Sequence, residues 1–196
     1  MSDFTEKFYQ LIESRKSIRK YKSEPVPREM LERILRAAVH APSGKNRQNW
    51  HFYVLEGQKR NEYLKLSQKS WLGLKDILQK KLKASLYQFT ERFFYTLGEA
   101  PVVILCYAFN DSDERYLTSI GSVYMAVENI NLACAAEGLG CCTMGAPLEI
   151  KEEVDAFLKI DPNQNLELLC GITIGFPDHE PPKAPRQLLD RIHWLS

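Results

Sequence analysis

Seven consecutive residues, Arg15-Lys16-Ser17-Ile18-Arg19-Lys20-Tyr21, hold two arginines, two lysines and a hydroxyl. Arg15, Ser17 and Arg19 alternate, so an extended or tightly turned backbone points all three the same way. Two guanidinium forks and a neutral hydroxyl donor suit a phosphate or a delocalised anion. Taken alone, the cluster reads equally as a solvated basic loop. A second polar stretch runs from Pro42 through Ser43, Gly44, Asn46 and Gln48 to Trp50. Asn46 and Gln48 can address the polar edge of a heterocycle, or satisfy loop backbone as amides in turns commonly do. A third stretch, from Gly138 to Pro147, is flanked by glycines. Glycine lets a flat ligand lie close to backbone N–H donors, and it also serves as a cap or turn. Last come Pro177, Pro181, Pro182 and Pro185, an extended arm at about 177–196 carrying Lys183 and Arg186.

These stretches need elements to position them. Apolar residues at 4, 8, 11 and 12 predict a short helix before the basic cluster. Met30, Leu31, Ile34, Leu35, Ala38 and Val39 predict an amphipathic helix from Pro27 to Ala41. His51 to Leu55 reads as a strand. Pro101 to Phe109 reads as a strand buried on both faces. Ser119 to Glu137 reads as a largely buried helix ended by Gly138, and Glu128, Asn129 and Asn131 inside it need partners. The glycine-flanked stretch 138–147 reads as a short strand, followed by a helix at 148–158 and a strand at 166–176. Residues 59–97 read as helical and basic, with nine Lys/Arg against three acids. They also carry Trp71, Tyr87, Phe89, Phe93, Phe94 and Tyr95. They form either a solvated face over a core or a variable, aromatic-lined lid over a pocket.

The totals narrow the class. A chain of 196 residues fits a single domain whose core needs no disulfide or metal staple. A net charge of +1 argues against a general polyanion binder, so no nucleic-acid partner is expected. The five cysteines form no Cys-x-x-Cys, and most lie in apolar runs. That pattern favours reduced, buried thiols in a reducing compartment. The four histidines lack metal-ligand spacing, so no metal is expected. No secretory leader is recognisable and no run approaches the roughly 18 apolar residues of a membrane span. A cytoplasmic protein is expected.

Arg-x-Ser-x-Arg, Pro-Ser-x-x-Asn-x-Gln-x-Trp after a helix, Gly-Leu-Gly-x-x-x-Met-Gly after a long buried helix, and a proline-rich arm occur in that order. With Glu128-Asn129-Ile130-Asn131 in the long helix, this order resembles the FMN-dependent nitroreductase family over roughly residues 8–194. The resemblance implies an α+β fold, with a central mixed, mostly antiparallel sheet flanked by helices. It implies an intertwined homodimer with FMN at the interface and a C-terminal arm over the partner. By resemblance Arg15, Lys16 and Ser17 hold the FMN phosphate, with Lys183 or Arg186 completing that site. Arg19 lies near the N1/O2 edge as a stabiliser of the flavin. Pro42, Ser43 and Asn46 reach the flavin of the other subunit, with Gln48 at the ring edge. Thr143, Met144 and Gly145 lie beside the ring. Gly44 stands where the family often has a second serine, and Asn49 where it commonly has proline.

The implied activity is that of a flavin-dependent NAD(P)H oxidoreductase. It would reduce nitroaromatic, quinone or similar small acceptors by ping-pong hydride transfer through flavin N5, with no side chain acting as nucleophile. Two alternatives stay within the resemblance: reductive dehalogenation, and FMN storage or sensing without turnover. Dehalogenating members carry a Glu/Tyr/Lys lid triad that grips a zwitterionic amino acid, and residues 59–97 give no evident match to it. Cys141 and Cys142 have apolar neighbours and read as structural thiols.

Overall fold

Residues 2–109, 116–182, 185–187 and 191–195 are described by the computed structural model. Strand β1 (Trp50–Glu56), β2 (Val102–Phe109), β3 (Gly140–Met144) and β4 (Leu166–Gly175) form one sheet in the order β1-β2-β4-β3. Every strand pair is antiparallel. The mixed character expected of the sheet is confined to a parallel bridge between Ser17 and Cys141 on the β3 edge.

Strand β2 explains its own composition. Val102, Ile104, Cys106 and Ala108 enter one core while Val103, Leu105 and Tyr107 enter the other. Alternating Cβ directions on a strand covered on both faces require an unbroken apolar run. The first core is closed by α2 (Arg28–Ala38) and α5 (Tyr116–Ala136). The second is closed by the start of α3 (Gly57–Lys81) and by α6 (Lys151–Leu158). A short helix α1 (Asp3–Ser14) precedes the basic segment, and α4 (Ala84–Thr96) leads back to the sheet.

Two of the departures from the expected boundaries have a clear physical cause. Helix α2 stops at Ala38 instead of Ala41 because His40 and Ala41 bond back only three residues, tightening the chain ahead of Pro42. The helical stretch 59–97 is two helices, broken at Leu82 and Lys83. Trp71 joins them, with ring centroids 5.2 Å from Tyr87 and 5.3 Å from Phe94. Lys59, Lys65, Lys69, Lys80, Lys81 and Lys83 are exposed, as a solvated face requires. Arg60 is the exception. It is buried, and its guanidinium donates to Ala100 O at 2.7 Å and Thr96 O at 3.0 Å, satisfying carbonyls at the end of α4. No helix among the described residues is long and apolar enough to cross a membrane.

Burial pushes the phenols of Tyr21, Tyr63 and Tyr107 above their ordinary 10.0. The folded chain therefore keeps three protons that the unfolded chain loses above about pH 10. Stability is expected to be unaffected by these groups below that pH and to fall as pH rises beyond it. With all three acting, the slope is about 4 kcal/mol per pH unit. Urea midpoints measured from pH 8 to 11 test this, and a flat profile across that range would contradict it.

Candidate active site

The basic segment is laid along the sheet edge by backbone contacts. Ile18 N donates to Cys141 O at 2.9 Å, Tyr21 N to Gly98 O at 2.8 Å and Lys22 N to Phe176 O at 2.8 Å. Three glycines make room for it. A Cβ on Gly98 would stand 2.3 Å from Arg19 O, one on Gly140 2.7 Å from Ile18 Cβ, and one on Gly175 3.2 Å from Tyr21 Cβ. The freedom expected around Gly140 is thus occupied by Ile18, not left open for a flat ligand. At Gly145 nothing lies within 4 Å of the same position, so that backbone is open.

The three alternating residues of the segment share a cleft, and Lys16 between them reaches it too. Arg15, Ser17 and Arg19 line one cleft of about 960 Å³, and Arg186 lies on its wall with Pro181 and Pro185. Lys183, expected beside Arg186, lies outside the described residues. Arg15 is steadied by Glu128, with Nε 3.8 Å from Oε1. Glu128 in turn accepts from Asn131 Nδ2 at 3.0 Å. Asn131 Oδ1 receives Cys141 Sγ at 3.3 Å and Thr143 Oγ1 at 3.2 Å. Asn129 donates to Ala37 O at 3.0 Å, tying α5 to α2. The three polar residues of the long helix thus find partners, and two of them connect Arg15 to Thr143. Lys16 also lines the cleft of Arg15; it pairs with Glu180 at 2.6 Å, and with Asp178 these border a separate opening of about 490 Å³.

Arg19 also lines a second cleft of about 200 Å³ between α3, α4 and the end of β3. Thr143, Met144 and Gly145 form its floor. Phe93, Phe94 and Leu97 give apolar walls, and Tyr63, Ser67, Ser70 and Thr90 give hydroxyls. Arg19 is the one charged side chain among the described residues lining it. Cys142 borders the same cleft, where burial pushes its thiol up and the Arg19 guanidinium opposes that only in part. This is a shielded thiol, in keeping with a structural role.

The loop after α2 stands apart. Neither the cleft of Arg15 nor the aromatic cleft is lined by Pro42, Ser43, Asn46 or Gln48. The loop packs instead on the start of α5, with Gly44 N 3.4 Å from Ser122 Oγ. Asn49 Nδ2 donates to Ser119 Oγ at 2.5 Å and Ser119 O at 3.2 Å, which a proline there could not do. Lys45, Asn46 and Gln48 hold φ of 52°, 54° and 51°. Left-handed non-glycine residues in succession are strained, and such strain collects at functional sites.

Several cleft residues gave no signal as a site in the sequence. Tyr63, Ser67 and Ser70 recur at helical spacing on the buried face of α3, a pattern that reads first as core.

A model of the nitroreductase family matches residues 12–176. Among curated proteins, an iodotyrosine deiodinase from Thermotoga neapolitana is 32% identical over 182 residues, spanning 91% of this chain and 92% of that protein. Two solved structures share the fold. The FMN-dependent nitroreductase NfnB from Mycobacterium smegmatis, in complex with NADPH, superposes with a TM-score of 0.80 at 19% identity, covering 99% and 100% of the two chains. An oxidized iodotyrosine deiodinase bound to FMN and 3-iodo-L-tyrosine superposes with a TM-score of 0.75 at 28% identity, covering 96% and 98%.

Proposed function

The chain belongs to the nitroreductase family, and from that premise we propose that it is an FMN-dependent oxidoreductase passing electrons from NAD(P)H to small nitroaromatic or quinone acceptors. The observation that carries the reading is the position of Arg19, which lines both the basic cleft and the aromatic cleft.

The residues fit the cofactor. Arg15, Ser17 and Arg186 around one cleft are the donor set a phosphate monoester requires. The open backbone at Gly145, with Thr143 and Met144, suits the edge of a flat ring. Bound FMN would supply two-electron transfer chemistry. The chain's own residues would then bind and orient. Arg15 and Ser17 hold the anion, with Glu128 fixing the Arg15 guanidinium. Arg19 offers a permanent positive charge to negative charge appearing at the junction of the clefts. Phe93, Phe94 and Leu97 exclude water. Lys16, engaged with Glu180, contributes field more than contact.

Pro42, Ser43, Asn46 and Gln48 are assigned to the cofactor of a second subunit. Their separation from the clefts of their own chain supports this. So does the exposed apolar surface of Phe4, Phe8 and Ile12 on α1, Leu117 and Met125 on α5, and Trp194 and Leu195 in the arm. Light scattering should give twice the chain mass; a monomer that retains FMN would remove this assignment.

A second reading, reductive dehalogenation of an amino acid, is favoured by the 32% identical deiodinase. A zwitterionic substrate needs an anion for its ammonium group, and no carboxylate lines the aromatic cleft among the described residues. This reading therefore ranks second.

The deciding experiment is an absorbance spectrum of the purified protein, followed by anaerobic NADH and NADPH in turn. Flavin bands that bleach with either donor, and recover with 1,4-benzoquinone or nitrobenzene, are expected. Recovery with 3-iodotyrosine alone would move the second reading to the front. A colourless protein that takes up no FMN would sink both. Arg15→Gln is expected to weaken FMN binding at least tenfold, the loss of a charge-assisted hydrogen bond. Equilibrium dialysis against FMN measures it.

A further inference from the structure

We propose that the Tyr63 hydroxyl is the hydrogen-bond donor that seats the electron acceptor in the aromatic cleft, receiving the nitro or carbonyl oxygen of a single-ring compound. The proposal rests on the reading of the protein as a flavin-dependent reductase.

Tyr63 is 1% exposed. Its ring is held in the core with Leu55, Val103 and Leu168, and its centroid lies 6.3 Å from that of Phe157. Its hydroxyl makes no hydrogen bond to any described residue, although buried hydroxyls almost always find a partner. It is not sealed either. Asn49 Oδ1 is the one fully buried side-chain polar atom without a partner among the described residues. The Tyr63 hydroxyl therefore keeps an opening, and the cleft that Tyr63 lines is that opening. Burial holds the phenol above its ordinary value, so it stays protonated and can only enter a neutral pH complex with its proton in place.

The other hydroxyls in the cleft have committed their protons. Ser67 Oγ donates to Leu64 O at 2.9 Å, Ser70 Oγ to Ser67 O, and Thr90 Oγ1 to Leu86 O at 2.7 Å. They present lone pairs, which leaves Tyr63 as the neutral donor and Arg19 as the charged one. The unpartnered Tyr63 hydroxyl can donate its proton to an acceptor oxygen placed in the cleft. The volume, about 200 Å³, is below the usual range for drug-sized ligands, and the walls are aromatic and aliphatic. A single ring fits.

The test compares nitrobenzene with toluene, which has the ring but no acceptor oxygen. Both are titrated calorimetrically into the FMN-loaded, oxidised protein and its Tyr63→Phe variant. Wild type should bind nitrobenzene about tenfold more tightly than toluene, as one buried hydrogen bond provides. Tyr63→Phe should abolish that difference while leaving toluene binding in place. A structural role would weaken both ligands alike and would overturn the proposal. Because the hydroxyl has no internal partner, Tyr63→Phe should also keep its Tm. A lower Tm, or a variant that sheds FMN, would mean the hydroxyl serves the fold or the cofactor, and would equally overturn it. A wild type without flavin would instead mark failure of the underlying functional reading.

Discussion

Replacing Arg19 by leucine should lower NAD(P)H-dependent reduction of 1,4-benzoquinone by about a hundredfold, while FMN remains bound. The size follows from what one preorganised charge contributes when it faces developing charge in a water-poor site. Among the described residues Arg19 is the one charged side chain lining the aromatic cleft, so no described neighbour there can replace it. Retention of FMN follows because Arg15, Ser17 and Arg186 still line the basic cleft. Arg19→Lys should fall between the two, since an ammonium is a point charge where a guanidinium is a planar fork. Steady-state turnover at saturating donor, normalised to flavin content, is the measurement. Turnover of the leucine variant within a few-fold of wild type would remove Arg19 from the electrostatic role.

Gly98→Ala should lose both stability and cofactor. Two effects act together at this residue. Its φ is +63°, where a side chain is strained, and the new Cβ would fall 2.3 Å from the Arg19 carbonyl oxygen. That neighbour is backbone and cannot swing aside. Tyr21 N also depends on Gly98 O, so displacement of either segment breaks the 2.8 Å bond between them. A loss of about 3 kcal/mol or more is expected, the range for strain combined with a backbone clash. Thermal melts and the flavin-to-protein ratio should fall together. Gly73→Ala supplies the control. That Cβ would meet only Glu149 Oε2 at 3.7 Å in the interior of α3, where alanine favours the helix, so its Tm should hold or rise. Equal behaviour of the two variants would show that Gly98 does not carry the segment.

Much of this arrangement is readable from composition and spacing because local rules decide it. The run Val102–Phe109 is apolar throughout since both faces of β2 are covered. Gly138, at φ +72°, ends α5 as a glycine cap should. Arg15, Ser17 and Arg19 lie close together in sequence and share a cleft, with Lys16 on its wall as well. What could not be read was set by distant partners. Nothing near Arg60 distinguishes it from the exposed lysines around it; the carbonyls of Thr96 and Ala100 bury it. The unpartnered state of the Tyr63 hydroxyl is likewise a property of the assembled cleft. Left-handed backbone at Lys45, Asn46 and Gln48 is invisible in a stretch whose one glycine lies elsewhere.

The basic segment near the N-terminus makes its backbone bonds to Gly98, Cys141 and Phe176. During synthesis the chain emerges N-terminus first, so Arg15 and Ser17 leave the ribosome long before the strand that will hold them exists. Local contacts cannot assemble this site early; it must await closures that span most of the polypeptide. Cofactor loading thereby becomes a test of completeness. A chain interrupted before Gly140 has no β3 edge on which to seat Ile18, and a chain clipped within β4 loses the anchor for Lys22. On the proposed assignment neither should be rescued by adding flavin, and bound cofactor would then mark only those molecules that have been made and folded to the far end of the sheet.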